Sequence, residues 1–452
     1  MKFHSTSAQL SIPQFWALVA MLLVCAQVIA QDAAPGEARS WLNAFDQARS
    51  EQLIQQGRLQ MEAGEFDAAE RIFLDAMQIA KINFGLDSPE QRVALEYAIG
   101  AQFAQGKWDQ AESHLSYFEW LNDQVYTRDF YDYLRGTEQL SAMLLRASAN
   151  VDNPMAVRFL IAAKNLNWRA ITAIEATLGD THIELAPWLY NIVLTHYYQS
   201  SLIKRGGMSS YVYQTDDDRE YAGWTLSMGD SLRISYRIGK ELLERIETIY
   251  GKAPDLPAES KALARVYQAD WELLFGNEED ALEKYQLAYG ELLESGLDQA
   301  QANQVFERPT VLPATSLVSS FGDLADTPTA GPLQFHAWTP NYPATALPSE
   351  GLAISENTET EIKALVRFDV NPLLPSGLTN NSRVLRLGFN LADMEVISTT
   401  PDNEQIRERA RYEVSLLQFR PKLEDGAPVP LEDVELEYLF PPQYSNLTLS
   451  GN

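Results

Sequence analysis

Ser231 stands in a short motif, Gly229-Asp230-Ser231-Leu232, that could make it a nucleophile. A serine hydroxyl becomes nucleophilic when a neighbouring base, most often a histidine held by a carboxylate, removes its proton. The one histidine downstream is His336, in QFHAW, and it is not part of an Asp-x-x-His pair. The residues after the serine, RISYRIGKELLERIETIYG, have the apolar spacing of a helix, so we expect Asp230 or Ser231 to cap that helix.

The other histidines show no pattern typical of catalysis or metal binding. His114, His182 and His196 share no spacing of metal ligands, and the sequence contains no glycine-rich phosphate loop. We expect these histidines to be solvated or packed, and we predict no catalytic residue, no cofactor and no metal ligand. An enzyme is therefore not expected, and a hydrolase of the cell envelope is a distant alternative.

The net charge restricts the class of partner. The 452 residues carry a formal charge of −27, whereas a phosphate backbone requires clustered Lys and Arg. Nucleic acids and anionic membrane surfaces are disfavoured for this reason. The composition, 46% hydrophobic and 10% aromatic, is that of a folded protein with well-buried cores.

Residues 1–30 have the features of a secretory signal. Lys2 is their only Lys, Arg, Asp or Glu, and an unbroken apolar run extends from Phe15 to Ala26. As a helix this run would rise about 18 Å, which is short against a hydrocarbon core roughly 30 Å thick. We predict cleavage near Ala30, or after Ala26, and export into the periplasm. An uncleaved membrane anchor is the alternative.

The single cysteine, Cys25, lies inside this apolar run. The residues before it partly resemble a lipoprotein box, but Val24 stands where that box has a small residue, so lipidation is a minority alternative. Removal of the signal would leave no thiol, hence no disulfide and no cysteine metal site. An exported bacterial protein held by its core alone fits this pattern.

A phrase repeats within the helix-forming region from Arg49 to Leu293. It has glycine first, alanine five residues later and a large residue four further on. The three copies are GEFDAAERIFLDA (Gly64, Phe66, Ala69, Phe73, Ala76), GKWDQAESHLSYF (Gly106, Trp108, Ala111, Leu115, Phe118) and GNEEDALEKYQLA (Gly276, Glu278, Ala281, Tyr285, Ala288). Glycine permits a tight reversal, alanine allows close approach of an antiparallel helix, and the large residue fills the gap.

This phrase resembles the tetratricopeptide repeat. The joints FGLDSPE, LGDTHIE and YGKAPDLPAE resemble those of the longer, roughly forty-residue variety found in kinesin light chains. Between Asn122 and Glu175 helices are predicted from periodicity alone. The resemblance implies about five helix pairs stacked into a superhelix that holds a peptide or another protein.

A segment without apolar period, Arg205 to Trp224, interrupts this array. It is interpreted as a surface loop between helices. The alternative is a partner contact made by Tyr211, Tyr213, Tyr221 and Trp224.

The composition changes after the helices. Residues 306–332 are rich in Pro, Thr, Ser and Ala, which predicts a linker. In ALVRFDV the period becomes alternating, so that Ala364, Val366, Phe368 and Val370 share one face of a strand.

The elements that follow resemble, in their order, the C-terminal domain of TonB and its relatives. They are P-x-Y-P-x-x-A (Pro340, Tyr342, Pro343, Ala346), the strand ALVRFDV, a return strand Gly377–Leu385, a helix Asn403–Leu417, F-x-P at Phe419 and Pro421, a turn at Asp425-Gly426, and the strand VELEYLF. The chain departs from the family at Leu417, where Trp is frequent, and in the longer segment from Arg386 to Pro401. These departures concern the partner more than the fold.

The resemblance implies a periplasmic α+β domain that grips a partner, often by adding a partner strand to its sheet. Candidate contact residues are Tyr342, Pro343 and the final strand. Within that strand we expect Val434, Leu436, Tyr438 and Phe440 to face the core; we expect Glu435, Glu437 and Leu439 to face outward, with one backbone edge free. A domain that only dimerises or docks is the alternative.

The fold class predicted is an all-α array of tetratricopeptide-like repeats joined by a linker to a small α+β domain. The boundaries are a signal peptide at 1–30, repeats at 31–305, a linker at 306–332, the TonB-like domain at 333–445 and a tail at 446–452. The expected function is that of a non-enzymatic periplasmic adaptor for periplasmic or outer-membrane transport proteins. A membrane-anchored energy transducer is the alternative.

The mature protein should begin near Gln31 and be recovered in the soluble periplasmic fraction, because the apolar run is short and ends at small residues. Intact mass measurement checks the cleavage site. A chain that retains Met1 and fractionates with the inner membrane would favour the anchored transducer.

Overall fold

The computed structural model describes residues 47–149, 153–204, 228–325, 331–336, 362–373, 383–388 and 390–440. The contacts between residues divide the chain after Gly106 into two units. It is a mostly helical protein with a small mixed sheet towards its C-terminus, as the sequence predicts at this level. Among the helices that the structure describes, none has the length and apolarity that a membrane crossing requires.

The first unit contains a helical hairpin and a third helix. Its helices are α1 (Gln47–Glu62), α2 (Phe66–Phe84) and α3 (Arg92–Ala104), the last preceded by a 3-10 turn at Pro89–Gln91. Helices α1 and α2 pack along each other, and α3 packs on α2. The aromatic rings of Phe73 on α2 and Tyr97 on α3 stack with centroids 5.1 Å apart.

The second unit begins with helices that pack mainly against their neighbours in the chain. They are α4 (Trp108–Asp123), α5 (Phe130–Ala149), α6 (Asn153–Leu178), α7 (Leu185–Lys204), α8 (Met228–Lys252), α9 (Ser260–Leu274), α10 (Glu278–Glu294) and α11 (Gln299–Glu307). Helices α5 and α6 lie in the region where periodicity alone predicts helix. That prediction is confirmed.

The repeated phrase has the geometry predicted for it. Gly64, Gly106 and Gly276 have φ angles of 75°, 68° and 75°, a left-handed conformation that glycine adopts without steric cost. In each copy a helix starts two residues later, and the alanine and large positions that follow are buried. The three predicted joints also lie between helices, after Phe84, Leu178 and Lys252.

Helices α8 and α9 approach each other closely at a glycine. A Cβ atom on Gly239 of α8 would collide with the indole ring of Trp271 on α9. That ring is anchored, since its Nε1–H donates to the carbonyl oxygen of Tyr236 at 2.9 Å. The absence of a side chain at Gly239 therefore sets the distance between the two helices.

The C-terminal part of the second unit contains a mixed sheet and two small ribbons. Its elements are β1 (Val311–Leu312), α12 (Phe321–Ala325), β2 (Leu333–His336), β3 (Lys363–Val370), β4 (Leu391–Thr400), α13 (Glu404–Ser415), β5 (Gln418–Phe419), β6 (Lys422–Glu424), β7 (Ala427–Val429) and β8 (Leu431–Leu439). The main sheet has the order β2-β8-β3-β4, with β2 parallel to β8 and the other pairs antiparallel.

The core of the sheet domain lies on one face of this sheet. Strand β3 alternates as predicted, with Ala364, Val366, Phe368 and Val370 all buried. Helix α13 covers the same face through Ile406, Ala410 and Val414. Asn403 begins the helix, since its side-chain oxygen accepts a hydrogen bond from the N–H of Gln405 at 2.8 Å.

The return strand lies further along the chain than predicted. It is β4, which pairs Thr400 with Lys363 and Leu391 with Val370. This strand lies within Arg386–Pro401, the segment that is longer than in the TonB-like family. Residues 383–388 form no strand, and 374–382 lie outside the described residues. Four of the five residues Val396, Ile397, Ser398, Thr399 and Thr400 are β-branched, which explains the position, since such residues favour a half-buried strand.

The segment predicted to be a linker is packed over most of its length. Val311 and Leu312 pair with Phe419 and Gln418 as an antiparallel ribbon, and Leu312 is 2% exposed. Helix α12 follows at Phe321. Small polar residues predict a solvated chain, but they also leave the main chain accessible to side chains of a neighbouring helix, which is how this segment is held.

Replacement of Gly239 by alanine should destabilise the second unit by about 1–3 kcal/mol, because the added methyl group must displace a held indole ring. The matched control is Gly290→Ala in α10, where a Cβ meets nothing within 4 Å. That change should stabilise by roughly 0.5–1 kcal/mol through helix propensity alone. Urea unfolding of both variants measures the difference, and equal effects would contradict the close approach.

Candidate functional site

Four of the predicted contact residues on the final strand lie in the core of the sheet domain. Val434, Leu436, Tyr438 and Phe440 are all less than a tenth exposed, as the alternation predicts. The rings of Tyr438 and Phe440 are 4.9 Å apart, and Phe335 of β2 lies 5.5 Å from Tyr438. These residues therefore stabilise the domain and do not offer a contact surface.

The acidic residues between them lie on the other face of the sheet and are paired across strands. Glu435 accepts a hydrogen bond from Arg367 of β3 at 2.8 Å, and Glu437 forms an ion pair with Lys363 at 2.7 Å. Leu439 differs from the prediction. It is only 8% exposed, because it lies between β2 and β3, opposite His336 on one side and Lys363 on the other.

The final strand does not leave a free edge along its C-terminal half. Strand β2 pairs with Leu436–Leu439 on one side, while β3 pairs on the other. This contradicts the expected strand-acceptor edge at β8. In the part of the sheet that the structure describes, the edges are β2 and β4. Residues 333–336 begin the predicted TonB-like domain, but no strand was predicted there, so the insertion of β2 beside β8 was not anticipated.

The remaining predicted contact residues lie outside the described residues. Tyr211, Tyr213, Tyr221 and Trp224 fall in 205–227, and Tyr342 and Pro343 fall in 337–361. The predicted signal peptide, residues 1–30, also lies outside the described residues.

A buried joint connects the helical array with the sheet domain, and its residues were not predicted. The guanidinium of Arg420, just after β5, faces the carboxylate of Asp270 on α9 in a bidentate arrangement, with Nε–Oδ1 2.9 Å and Nη2–Oδ2 2.5 Å. Both side chains are less than a tenth exposed. The hydroxyl of Tyr285 on α10 donates to the same carboxylate at 2.7 Å. The guanidinium also lies 5.5 Å from the ring centroid of Tyr267. We call these four residues the joint.

The electrostatics of the joint favour the charged pair. Burial lowers the pKa of Arg420, but the charge and hydrogen bond of Asp270, together with Tyr285 and Tyr267, outweigh it, so the net pKa is above its ordinary value. Burial, and next the Asp270 charge, raise the pKa of Tyr285 well above its ordinary range, so its hydroxyl stays protonated and donates. Paired, hydrogen-bonded charges are the form in which ions are tolerated in a protein interior.

Two further contacts fix the sheet domain on the last helices of the array. The predicted Asp-Gly turn is confirmed, with positive φ angles of 54° at Asp425 and 77° at Gly426. The N–H of Asp425 donates to Oδ1 of Asn303 on α11 at 3.0 Å, and the Tyr289 hydroxyl donates to that oxygen at 2.7 Å. Elsewhere, the N–H of Arg386 donates to the carbonyl oxygen of Leu274 at 2.8 Å, and its side chain pairs with Glu278.

Signals for the joint exist in the sequence. On α9 the apolar positions Leu263, Val266, Tyr267 and Leu274 recur at helical spacing, and Asp270 falls on the same face. A carboxylate at such a position requires a partner. Arg420 lies between Phe419 and Pro421 of the F-x-P motif, but sequence alone does not connect residues 150 positions apart.

Ser231 is not placed as a nucleophile. Helix α8 starts at Met228, so Asp230 and Ser231 lie inside its first turn and do not cap it, contrary to the prediction. The Ser231 side chain is fully buried, and within the described residues its hydroxyl has no hydrogen-bond partner. A serine inside a helix and closed off from solvent cannot reach a substrate.

His196 on α7 is a packed histidine. It is 1% exposed, and its Nδ1 lies 3.3 Å from the hydroxyl oxygen of Ser235 on α8. Burial, and next the charge of Lys164 on α6, lower its pKa well below the ordinary value, so the ring is neutral. His182 has a local role, since its Nδ1 accepts the N–H of Glu184 at 3.2 Å.

Across the described ranges, the histidines and carboxylates form no cluster that could hold a metal ion. No protein-family model matches the chain, and no curated protein is significantly similar to it. The arrangement of the joint is suited to fixing one domain on another.

Replacement of Asp270 by alanine should destabilise the protein by about 3–5 kcal/mol, because it leaves a buried guanidinium without its counter-ion. The control is Glu112→Ala, which removes the partner of Arg158 from a pair with 46% and 59% exposed side chains. An exposed pair contributes about 0–1 kcal/mol. Chemical unfolding of both variants, with Arg420→Ala and the double variant completing the cycle, measures the coupling. A cost for Asp270→Ala as small as that of the control would contradict the joint.

Stability should also fall as the pH decreases below about 6.5, the pKa of histidine in an unfolded chain. The pKa of His196 in the folded protein is depressed, so below pH 6.5 the unfolded chain binds a proton that the folded protein does not bind. Proton binding therefore favours the unfolded state. The slope reaches about 1.4 kcal/mol per pH unit for one such group. Urea unfolding between pH 5.5 and 7.5 measures it. His196→Gln should flatten the curve; an unchanged slope would disprove the assignment.

Proposed function

We propose that this protein is a non-enzymatic periplasmic adaptor, in which the helical array, similar to tetratricopeptide repeats, holds one protein and the sheet domain, similar to the C-terminal domain of TonB, contacts a second. The partners proposed are components of TonB-dependent transport. The joint is the observation that carries the proposal, because a bidentate buried ion pair between Asp270 and Arg420 keeps the two binding parts in one relation.

The repeat geometry supports the array as a binding element. In all three copies the glycine is left-handed and the alanine five residues later is fully buried. Helix pairs that stack by such contacts form extended surfaces rather than closed pockets. The array also exposes aromatic residues, among them Trp120, 42% exposed, whose ring is stacked on Tyr117. Exposed Trp and Tyr are the side chains that most often contribute to protein interfaces.

Strand β4, and not β8, is the strand at which a partner strand would be added. Strand β4 is an edge of the sheet as described. Its last residues, Ser398 to Thr400, pair in unbroken register with β3, after the two register shifts earlier in the strand. An edge strand offers unpaired main-chain groups to an incoming strand. The earlier residues of β4 carry Asp393 and Glu395, charges that discourage unspecific pairing.

The proposal is tested by photo-cross-linking in intact cells. A photoreactive amino acid is placed at Trp120 on the array, at Ser398 on β4, or at Glu408, an exposed residue of α13 that serves as the control in the same domain. Adducts of two different masses are expected from the first two positions. The α13 position should give none.

If neither Trp120 nor Ser398 yields an adduct above the control, the adaptor function is contradicted. A protein that retains its first thirty residues and fractionates with the inner membrane would favour the energy transducer instead. Hydrolytic activity that disappears in Ser231→Ala would direct it to an enzyme.

A further inference from the structure

The segment Thr310–Phe321, which is non-helical up to the start of α12 at Phe321, is held by its main chain on side chains of α7 and α9. The carbonyl oxygen of Ala314 accepts a hydrogen bond from the hydroxyl of Tyr190 at 2.6 Å. Further along, the carbonyl oxygens of Ser316 and Ser319 accept from the hydroxyls of Tyr267 at 2.7 Å and Ser260 at 2.5 Å. Three carbonyl groups of one segment thus find donors on the helices.

The same side of the helices supplies acceptors for the N–H groups of the segment. The N–H of Val318 donates to the Tyr267 hydroxyl oxygen at 2.9 Å, and the N–H of Phe321 donates to Oε1 of Glu259 at 3.2 Å. Tyr267 therefore binds two main-chain groups, one as donor and one as acceptor. We call Tyr190, Glu259, Ser260 and Tyr267 the peptide-holding face.

This face is fixed and keeps its protons. The rings of Tyr190 and Tyr267 meet edge to face with centroids 5.3 Å apart. Burial raises the pKa of Tyr267 to about 12, against the lowering effect of Arg420, so that its hydroxyl remains a donor at neutral pH. A pre-organised set of donors and acceptors binds an extended chain at a small entropic cost.

The side chains of the segment contribute little to this recognition. From Pro309 to Gly322 the chain has no ionisable side chain, and most of its side chains are half-buried. Leu312 and Ala314 are the buried ones, at 2% and 8% exposure. A site that binds main-chain groups tolerates other sequences, provided that they are non-helical, uncharged and small at the position of Ala314.

We infer that the peptide-holding face is a binding site for a non-helical, uncharged segment of a partner protein, and that the chain's own residues 310–321 occupy it as a replaceable ligand. The tethered segment competes at the high effective concentration of an intramolecular ligand, so partner binding is weakened until the segment is displaced. The inference deepens the proposed function, because it names where the array holds its partner and how access to that place is regulated.

The test uses a labelled synthetic peptide with the sequence of residues 310–321 and the purified full chain. The host variant is Ala314→Glu with Val318→Pro, which introduces a charge at a buried position of the segment and removes the N–H that Tyr267 accepts, without altering the face. The peptide should bind this variant at least tenfold more tightly than the wild type, in which the resident segment competes. Fluorescence anisotropy measures both affinities.

Two controls separate recognition by the face from unspecific binding. Adding Tyr190→Phe and Tyr267→Phe to the host variant removes both tyrosine hydroxyls and should weaken peptide binding at least tenfold, because three hydrogen bonds to the peptide main chain are lost. A peptide with Ala314→Glu should not bind. A peptide with Thr315→Val and Leu317→Ala should bind with an affinity within about threefold of that of the original peptide, since the face does not recognise these half-buried side chains.

A folded host variant that binds the peptide no better than the wild type overturns the inference. If the host variant does not fold, hydrogen exchange of the wild type decides: excess peptide should accelerate exchange of the Val318 and Phe321 amides at least tenfold, and unchanged exchange overturns the inference. The assay uses the purified chain alone. If the peptide does not bind, the inference is wrong, but cross-links formed in cells at Trp120 and Ser398 would still support the proposed function. If the cross-links are absent, the proposed function is wrong, but peptide binding would still support the binding site.

Discussion

A buried pair of opposite charges, Asp270 and Arg420, is the constraint on which the rest of the second unit depends. Two ions removed from water are tolerated when each is neutralised and hydrogen-bonded by the other, and here the bidentate geometry and the Tyr285 hydroxyl meet that condition. The pair can form only if the sheet domain lies against α9. The polypeptide between the array and the sheet must accordingly follow one path, which brings β1 beside β5.

Helix α9 is the element through which these contacts are combined. On one side Trp271 packs against Gly239 of α8, and Glu272, 1% exposed, accepts a hydrogen bond from the Tyr236 hydroxyl at 2.8 Å. On another side of α9, Tyr267 holds the segment 310–321, and Asp270 binds Arg420 of the sheet domain. A helix that contacts the array, the connecting segment and the sheet at once makes them mechanically dependent on each other. A partner that displaces the segment would act on the same helix that carries the joint.

What could be predicted from the sequence was local or periodic. The phrase of glycine, alanine and a large residue predicts where helices end, because the glycine permits the left-handed conformation of the turn between them. Asp425-Gly426 predicts a hairpin, because its turn requires positive φ angles. Alternation in β3 determined which face is buried. These features depend on nearest neighbours in the chain, which is the information that a single sequence carries.

What could not be predicted depends on pairs that are distant in sequence. The insertion of β2 beside β8 joins residues such as Leu333 and Leu436, and the free edge expected at the final strand disappears as a result. The packed path of residues 310–321 was missed because a main chain held by tyrosine and serine hydroxyls leaves no hydrophobic pattern. Asp270 was visible as a charge on an apolar face, but only the fold shows that its partner is Arg420.

The central claim is that α9 and the sheet form one cooperative unit through the joint. Native-state hydrogen exchange as a function of denaturant tests it most directly, because amides that open in the same event share one free energy and one denaturant dependence. The account predicts that the slowest amides of α9 and of β3 exchange through the same opening. Sheet amides that exchange through a separate opening of much lower free energy, while α9 stays protected, would contradict it.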